Sequence, residues 1–397
     1  MGPFVTKGES MEIRRTKKNE LKTVDEVFCI SFGFKRENDV EQPTSGEDVR
    51  YVAIEDGKII SAVYVPSYTM NFDGNLVKMA GIGGVSTLPQ YRRKGAIRNI
   101  FSNLLLDIYN DGYVFSYLYP FSTAYYKKFG YEKACDLVKY SVKTMALPES
   151  EDADKCFLLT EETFGKGIEI IKKAYDYNVS RYNGMTVPTE ETFAWAKKEN
   201  PLDDTIYTYV YEGKDSYGFL TYELKREGGL HVYISRLMYK GDEALKALLS
   251  VVRSFGSDYT TTILTMPKGD SIERLISEWS FGNIKREIIP HGMVRVVNVK
   301  EALSLAKYKG SGEFKICVID QQIKENSNKY YVNYVDGKVV TVKEINDKVD
   351  ITMEIDEFSA RLFGSNDIFS GLEEHKYGKI KFEDIFYQKR INITEEF

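Results

Sequence analysis

The stretch from Leu76 to Ile108 constrains the fold of this chain more than any other. A β-rich run, Leu76 to Ser86, leads straight into Pro89-Gln90-Tyr91-Arg92-Arg93-Lys94-Gly95-Ala96, after which Ile97, Ile100, Phe101, Leu104, Leu105 and Ile108 recur at helical spacing. The pattern predicts a strand, a basic glycine-containing loop and an amphipathic helix. Asp111-Gly112 closes the helix, and Tyr113 to Tyr119 reads as the next strand. Arg92, Arg93, Lys94 and Arg98 put four positive charges within seven residues. Such a loop aims main-chain N–H groups and the positive end of a helix dipole at one place, which suits a pyrophosphate. An isolated Arg-x-x-Gly match is usually a solvated basic turn capping an ordinary helix. Here the flanking strands and the amphipathic helix favour phosphate binding.

Upstream, Leu21 to Phe34 reads as an amphipathic helix, and Met11 opens the first strand-like segment. Residues 1 to 10 read as a leader; the start Met1-Gly2-Pro3 fits a myristoylation pattern only by chance, since Pro3 suits it poorly and nothing polybasic follows. Tyr51–Ile54, Ile59–Val65 and Leu76–Ser86, separated by Asp56-Gly57 and Asp73-Gly74, predict an antiparallel three-strand meander, because glycine tolerates the positive φ of a tight turn.

From about residue 150 the order repeats: helix Gly167–Tyr175, strands Ile206–Tyr211, Gly218–Leu224 and Leu230–Met238, helix Ala244–Phe255, strand Thr261–Thr265. Where the first copy has its basic loop, the second has Tyr239-Lys240-Gly241-Asp242-Glu243. Two carboxylates there cap a helix well and repel phosphate, so this copy is expected to leave the cofactor unbound. A third pattern follows: helix Val299–Ala306 with Asn298 as N-cap, strands near Phe314–Val318, Lys329–Tyr334 and Val339–Val342 around an Asp336-Gly337 turn, and helix Ile355–Leu362. A chain of 397 residues suits several cores. The expected units are 11–150, 151–292 and 293–397, in a mixed-sheet α+β fold.

Composition narrows the function classes. Hydrophobic residues at 43% and charged ones at 28% are a globular balance, and no apolar run approaches the ~20 residues that span a bilayer. A soluble, cytoplasmic protein without a secretory leader is expected, with Cys29, Cys135, Cys156 and Cys317 as free thiols. His231, His291 and His375 are as scattered as the cysteines, so no metal site is predicted. A net charge of -5 argues against nucleic acid as a partner and mildly favours a cationic substrate.

The strand, the loop with Arg92 and Gly95, the helix, and the later segment Ala124-Tyr125-Tyr126-Lys127-Lys128-Phe129-Gly130-Tyr131 together resemble the GNAT superfamily of N-acetyltransferases. Ile97 stands where that superfamily usually has Gly or Ala. A bulky residue there, the Tyr-x-x-Phe-Gly-Tyr segment, the length and a terminal Phe397 resemble the enhanced-intracellular-survival (Eis) family of aminoglycoside and lysine N-acetyltransferases. The resemblance implies tandem GNAT domains and a C-terminal region similar to sterol-carrier proteins, which delivers the C-terminus to the active site. It implies acetyl-CoA as co-substrate and an amine attacking the thioester directly. Val85, Ser86 and Thr87 then meet the pantetheine arm and the thioester oxygen; Arg93, Lys94, Gly95, Ala96, Ile97 and Arg98 cradle the pyrophosphate; Phe121 and Ser122 touch the cofactor. By the same resemblance Tyr126 is the general acid, the α-carboxylate of Phe397 the general base, and Glu396 a contact for a cationic amine. Without it, Tyr126 is one of 29 tyrosines and Phe397 a frayed end. The implied assembly is a homo-oligomer, a trimer or hexamer. The expected substrate is a primary amine, aminoglycoside-like or small and cationic; a protein lysine, or a non-catalytic coenzyme-A or lipid-binding module, is the alternative.

Overall fold

The computed structural model describes residues 11–35, 49–198, 201–226, 229–276, 278, 282–364 and 382–395. They form two compact units. The chain up to Ala134, Gly292–Gln388 and Glu395 belong to the first, Cys135–His291 and Lys389–Thr394 to the second.

The first unit opens with β1 (Glu12–Arg15), α1 (Leu21–Phe32), β2 (Val49–Glu55), β3 (Lys58–Val65), β4 (Ser67–Phe72), β5 (Asn75–Thr87), α2 (Ala96–Asn110), β6 (Phe115–Leu118) and α3 (Thr123–Lys127). Helix α1 stops two residues short of the expected Phe34. Gly33 takes φ 72° there, and its N–H reaches the Cys29 carbonyl at 2.9 Å, a left-handed helix terminus. Both expected Asp-Gly turns occur with positive φ at each residue: Asp56 51° and Gly57 72°, Asp73 52° and Gly74 89°. The second turn, however, joins β4 to β5, because Pro66 ends β3 and a separate strand starts at Ser67. The meander β2-β3-β5 thus carries a fourth strand, β4, paired to β5.

Helix α2 turns Ile100, Phe101, Leu104, Leu105 and Ile108 into a core with Tyr51, Ala53, Ile60 and Val63 of the sheet. Each such side chain contributes about 2 kcal/mol on leaving water, which fixes the helix against the strands that flank its basic loop.

The second unit takes in β7 (Glu132–Lys143) from Cys135 onward, β8 (Cys156–Leu158), α4 (Phe164–Arg181), the short α5 (Ala194–Lys198) and α6 (Pro201–Asp204), β9 (Ile206–Glu212), β10 (Tyr217–Lys225), β11 (His231–Lys240), α7 (Asp242–Arg253) and β12 (Thr261–Pro267). Its strands lie in the order β7-β12-β11-β10-β9-β8. Antiparallel β9-β10-β11, helix α7, then β12 parallel to β11 repeat the sequence β2-β3-β5, α2, β6 parallel to β5.

Strand β13 (Ile284–Val296) carries the chain out of the second unit, and its last residues pair antiparallel with β6, Met293 opposite Leu118. Helix α8 (Val299–Leu305) follows, and Asn298 caps it as expected, its Oδ1 accepting the Glu301 N–H at 3.0 Å. Strands β14 (Gly312–Ile319), β15 (Asn328–Val335), β16 (Lys338–Glu344) and β17 (Ile351–Glu354), with helices α9 (Ile355–Phe363) and α10 (Phe382–Ile385), complete the first unit. Its second sheet runs β16-β15-β14-β17, with β14 and β17 parallel.

Candidate active site

Strands β5 and β6 begin as a parallel pair and then part. Met79–Ile82 faces Phe115–Leu118 and the pairing ends there, while β5 continues to Thr87 against β3. A register shift opposite Ala62 and Tyr64, with Gly84 at φ 54°, marks a bulge where the strand bends. The Leu88 N–H donates to the Ile60 carbonyl at 2.9 Å, and main-chain direction alternates along an antiparallel strand, so Ser86 also faces β3. The Ser86 carbonyl accepts the Ser61 hydroxyl at 2.6 Å. Val85 and Thr87 therefore turn their main-chain groups the other way, toward the space where β6 has ended.

The loop after β5 contains one helical turn, Pro89–Tyr91, then Arg93 at φ 66° and Gly95 at φ 88°. Nothing lies within 4 Å of the place a Gly95 Cβ would take, so backbone conformation and not crowding calls for glycine. The first bond of α2 runs from the Asn99 N–H to the Gly95 carbonyl at 3.0 Å, and no side chain caps the helix. Among the described residues the N–H groups of Ala96, Ile97 and Arg98 meet no acceptor, an arrangement that suits an anion. Arg93, Lys94 and Arg98 are exposed around it. Lys94 stands 3.3 Å from Glu55, a half-exposed pair that holds it only weakly. Ala96 is buried, and Ile97 packs its side chain on the core while its N–H stays at the helix end.

Phe121 and Ser122 lead into α3. The Ser122 carbonyl accepts the Tyr125 and Tyr126 N–H groups, and the Phe121 ring, 71% exposed, stands edge-on to Tyr126 at 5.2 Å between centroids. Tyr126 is buried against Phe101 and Tyr131. Burial, reinforced by Tyr125 and Tyr131, pushes its phenol well above the ordinary value, and no described group hydrogen-bonds its hydroxyl. Tyr131 differs. Its hydroxyl shares a 2.7 Å hydrogen bond with Ser116, and its pKa is pushed up to about 12, mainly by burial. Of these two tyrosines in one core, Tyr126 has the unengaged proton. The same core gathers Ala96 and Tyr126, with Val85, Ile97 and Tyr125 packed against it.

A strand leading through a glycine-containing junction into a helix, with the next strand parallel to the first, occurs twice along the chain, and acetyltransferase (GNAT) domain models match both copies, at residues 12–134 and 184–296. Together they cover more than half of the sequence. The chain belongs to the GNAT acetyltransferases. No curated protein matches it in sequence. In fold, this GNAT acetyltransferase is similar to Eis1 from Mycobacterium abscessus, at 18% identity and TM-score 0.80 over 98% of this chain and 100% of that one. A GCN5-related N-acetyltransferase from Kribbella flavida gives 18% identity and TM-score 0.78 over 98% and 99%, and one from Anabaena variabilis 19% and 0.73 over 89% of each chain. GNAT acetyltransferases use acetyl-CoA, and the uncapped, basic end of α2 fits its pyrophosphate.

In the second GNAT domain the strand passes to the helix through Gly241 alone, and Asp242 and Glu243 occupy the first turn. The Glu243 carboxylate accepts the Ser216 hydroxyl at 2.9 Å. Glu396 and Phe397 lie outside the described residues. The segment before them is held in the second unit, where the Asn183 N–H donates to the Arg390 carbonyl at 2.8 Å and a His291 ring nitrogen meets the Ile393 carbonyl at 3.0 Å. Among the described residues no cluster of three or more His, Cys, Asp or Glu side chains stands ready for a metal, and no helix is long and apolar enough to cross a membrane.

Sequence reasoning missed Arg295 and Asp320, whose buried side chains form an ion pair in which Arg295 Nη2 donates to both carboxylate oxygens, at 2.8 and 2.7 Å. The available signal was an arginine inside the apolar run Met293-Val294-Arg295-Val296-Val297, since a charge is rarely buried without a partner.

Proposed function

We propose that the first GNAT domain transfers an acetyl group from acetyl-CoA to a primary amine by direct attack in a ternary complex, and that the second holds no cofactor. What carries this reading is the unengaged hydroxyl of Tyr126, protonated at neutral pH, in the same core cluster as Val85, Ala96 and Ile97. Bound acetyl-CoA supplies an activated acetyl group and departs as a thiol. The N–H groups of Ala96, Ile97 and Arg98, with Arg93 and Lys94 beside them and Gly95 shaping the turn, hold the pyrophosphate. Val85 and Thr87 offer main-chain groups to the pantetheine arm and the thioester oxygen, and Ser86 braces that strand through Ser61. Phe121 and Ser122 border the cofactor. Tyr126 gives its Oη proton to the leaving sulfur.

The proton acceptor in this reading is the α-carboxylate that the resemblance assigns to Phe397, with Glu396 holding a cationic amine. Glu395 belongs to the first unit, as does Tyr126. The net charge of -5 suits a small polycation or aminoglycoside-like amine. The trimer-based assembly and the sterol-carrier-like nature of β14–β17 are what the resemblance implies, and with the cytoplasmic location expected from the sequence they belong to the same proposal.

Thiol release from acetyl-CoA with a panel of polyamines, aminoglycosides and lysine peptides is the test. Turnover with the small polyamines and aminoglycosides is expected; turnover confined to lysine peptides moves the substrate to protein, and silence across the panel removes the catalytic reading. A short extension after Phe397 is expected to abolish turnover and spare coenzyme-A binding, whereas full turnover removes the carboxylate from the mechanism.

A further inference from the structure

Helix α3 has five residues, far fewer than the ~12 an isolated helix needs to persist in water, so its geometry is imposed by what surrounds it. Its C-terminal end is held by side chains distant in sequence. The Phe129 carbonyl accepts Arg295 Nη1 at 2.6 Å, and the Lys128 carbonyl accepts Gln322 Nε2 at 3.2 Å. Arg295 is itself held by Asp320, whose carboxylate also accepts the main-chain N–H groups of Gln322 and Ile323 and the side-chain amide of Asn326. Gly130 turns the chain just after the bonded carbonyl at φ 81°, and a Cβ there would lie 1.8 Å from Arg295 Nη1. The glycine exists because the guanidinium comes in against the backbone.

A buried ion pair is a weak source of stability, and this one leaves Arg295 Nε buried with no acceptor. What it fixes well is direction: a guanidinium whose Nη2 is held by both Asp320 carboxylate oxygens presents Nη1 to one carbonyl, three residues beyond Tyr126. We propose that Arg295, locked by Asp320, is a positioning residue for Tyr126: it sets the pitch of α3 through the Phe129 carbonyl and so aims the Tyr126 hydroxyl. This rests on Tyr126 being the acid of the proposed reaction.

The test is a kinetic double-mutant cycle on the full chain between Arg295→Lys and Tyr126→Phe. Lysine keeps the charge but replaces the two separate nitrogens that meet Asp320 and the Phe129 carbonyl with a single ammonium. Arg295→Lys is expected to lower kcat about tenfold or more with KM for acetyl-CoA within about twofold, since misplacing a reacting group by an ångström has effects of that size and the α2 loop is untouched. In the Tyr126→Phe background the same change is expected to leave kcat alone, because the group it aims is gone. Gln322→Ala, at the exposed second contact, is the milder variant if Arg295→Lys does not fold; it is expected to lower kcat severalfold in native enzyme and to do nothing in the Tyr126→Phe background. Effects that multiply in the cycle, or a variant that melts earlier with unchanged kcat, overturn the proposal and leave the acid in place. An unchanged kcat for Tyr126→Phe alone overturns the acid reading, and the positioning role with it.

Discussion

The two GNAT domains pass from strand to helix at equivalent points and do so with opposite chemistry. Between β5 and α2 lie residues 88 to 95, with Arg93 and Gly95 both in the left-handed region and the helix end uncapped. Between β11 and α7 lies Gly241, with a similar φ of 88° but an extended ψ of 147° against the 6° of Gly95. The first junction, eight residues long with two in the left-handed region, curls back before its helix, whereas the second runs through one extended glycine into a helix whose first turn brings its own carboxylates. Both GNAT domains keep the sheet, the parallel pair and the helix, and they differ in the junction, which is basic in the first and carries two carboxylates in the second.

The largest effect that would break this contrast belongs to Tyr126. Tyr126→Phe is expected to lower kcat by about a hundredfold or more and to leave coenzyme-A affinity nearly unchanged, as measured by steady-state kinetics and calorimetry. Next comes the same substitution made in both junctions. Gly95→Ala forces a side chain into the left-handed region, an expense of about 1 kcal/mol, and is expected to raise KM for acetyl-CoA about fivefold. Gly241→Ala forces a side chain into positive φ with extended ψ, a region open essentially to glycine alone, and also sets its Cβ 2.9 Å from that of Ser216, so its expected effect is a lower melting temperature of the purified protein with KM unmoved. Reversed outcomes would place the cofactor in the wrong domain.

Charge changes sharpen the comparison further down the scale. Arg93→Ala is expected to weaken coenzyme-A binding a fewfold, less so as salt rises, while Glu243→Gln is expected to leave binding unchanged. The smallest expected effect is in pH. A proton donor must stay protonated, and burial raises the Tyr126 phenol above its usual value, so its share of kcat is fully present below that value and is lost only as pH rises through the raised one. At saturating amine, kcat is expected to show no falling limb up to about pH 10; a limb near neutral pH would assign the acid elsewhere.

Much of the fold was legible because its signals are local. The Asp-Gly turns, the Asn298 cap and the spacing of Ile100, Phe101, Leu104 and Leu105 each depend on residues a few positions apart. Strand β4 escaped because Pro66 ends the run Ile59–Val65 and the polar Ser67, Thr69 and Asn71 make the next six residues read as a connection to the Asp73-Gly74 turn. Strands β7 and β13 escaped because nothing local separates them from the irregular segments around them. In the site, Arg93 to Arg98 and Tyr126 came from motif and resemblance. The bulge at Gly84 and the Arg295 contact did not, since the partners of the Arg295 guanidinium lie 25 and 166 residues away and only the folded chain brings them together.

The asymmetry between the domains can be measured in one experiment. Titration of the full chain with coenzyme A by isothermal calorimetry is expected to give one binding event per chain, weakened by Gly95→Ala and indifferent to Gly241→Ala. Two events per chain, or one that follows Gly241, would contradict the division of labour read from the two junctions.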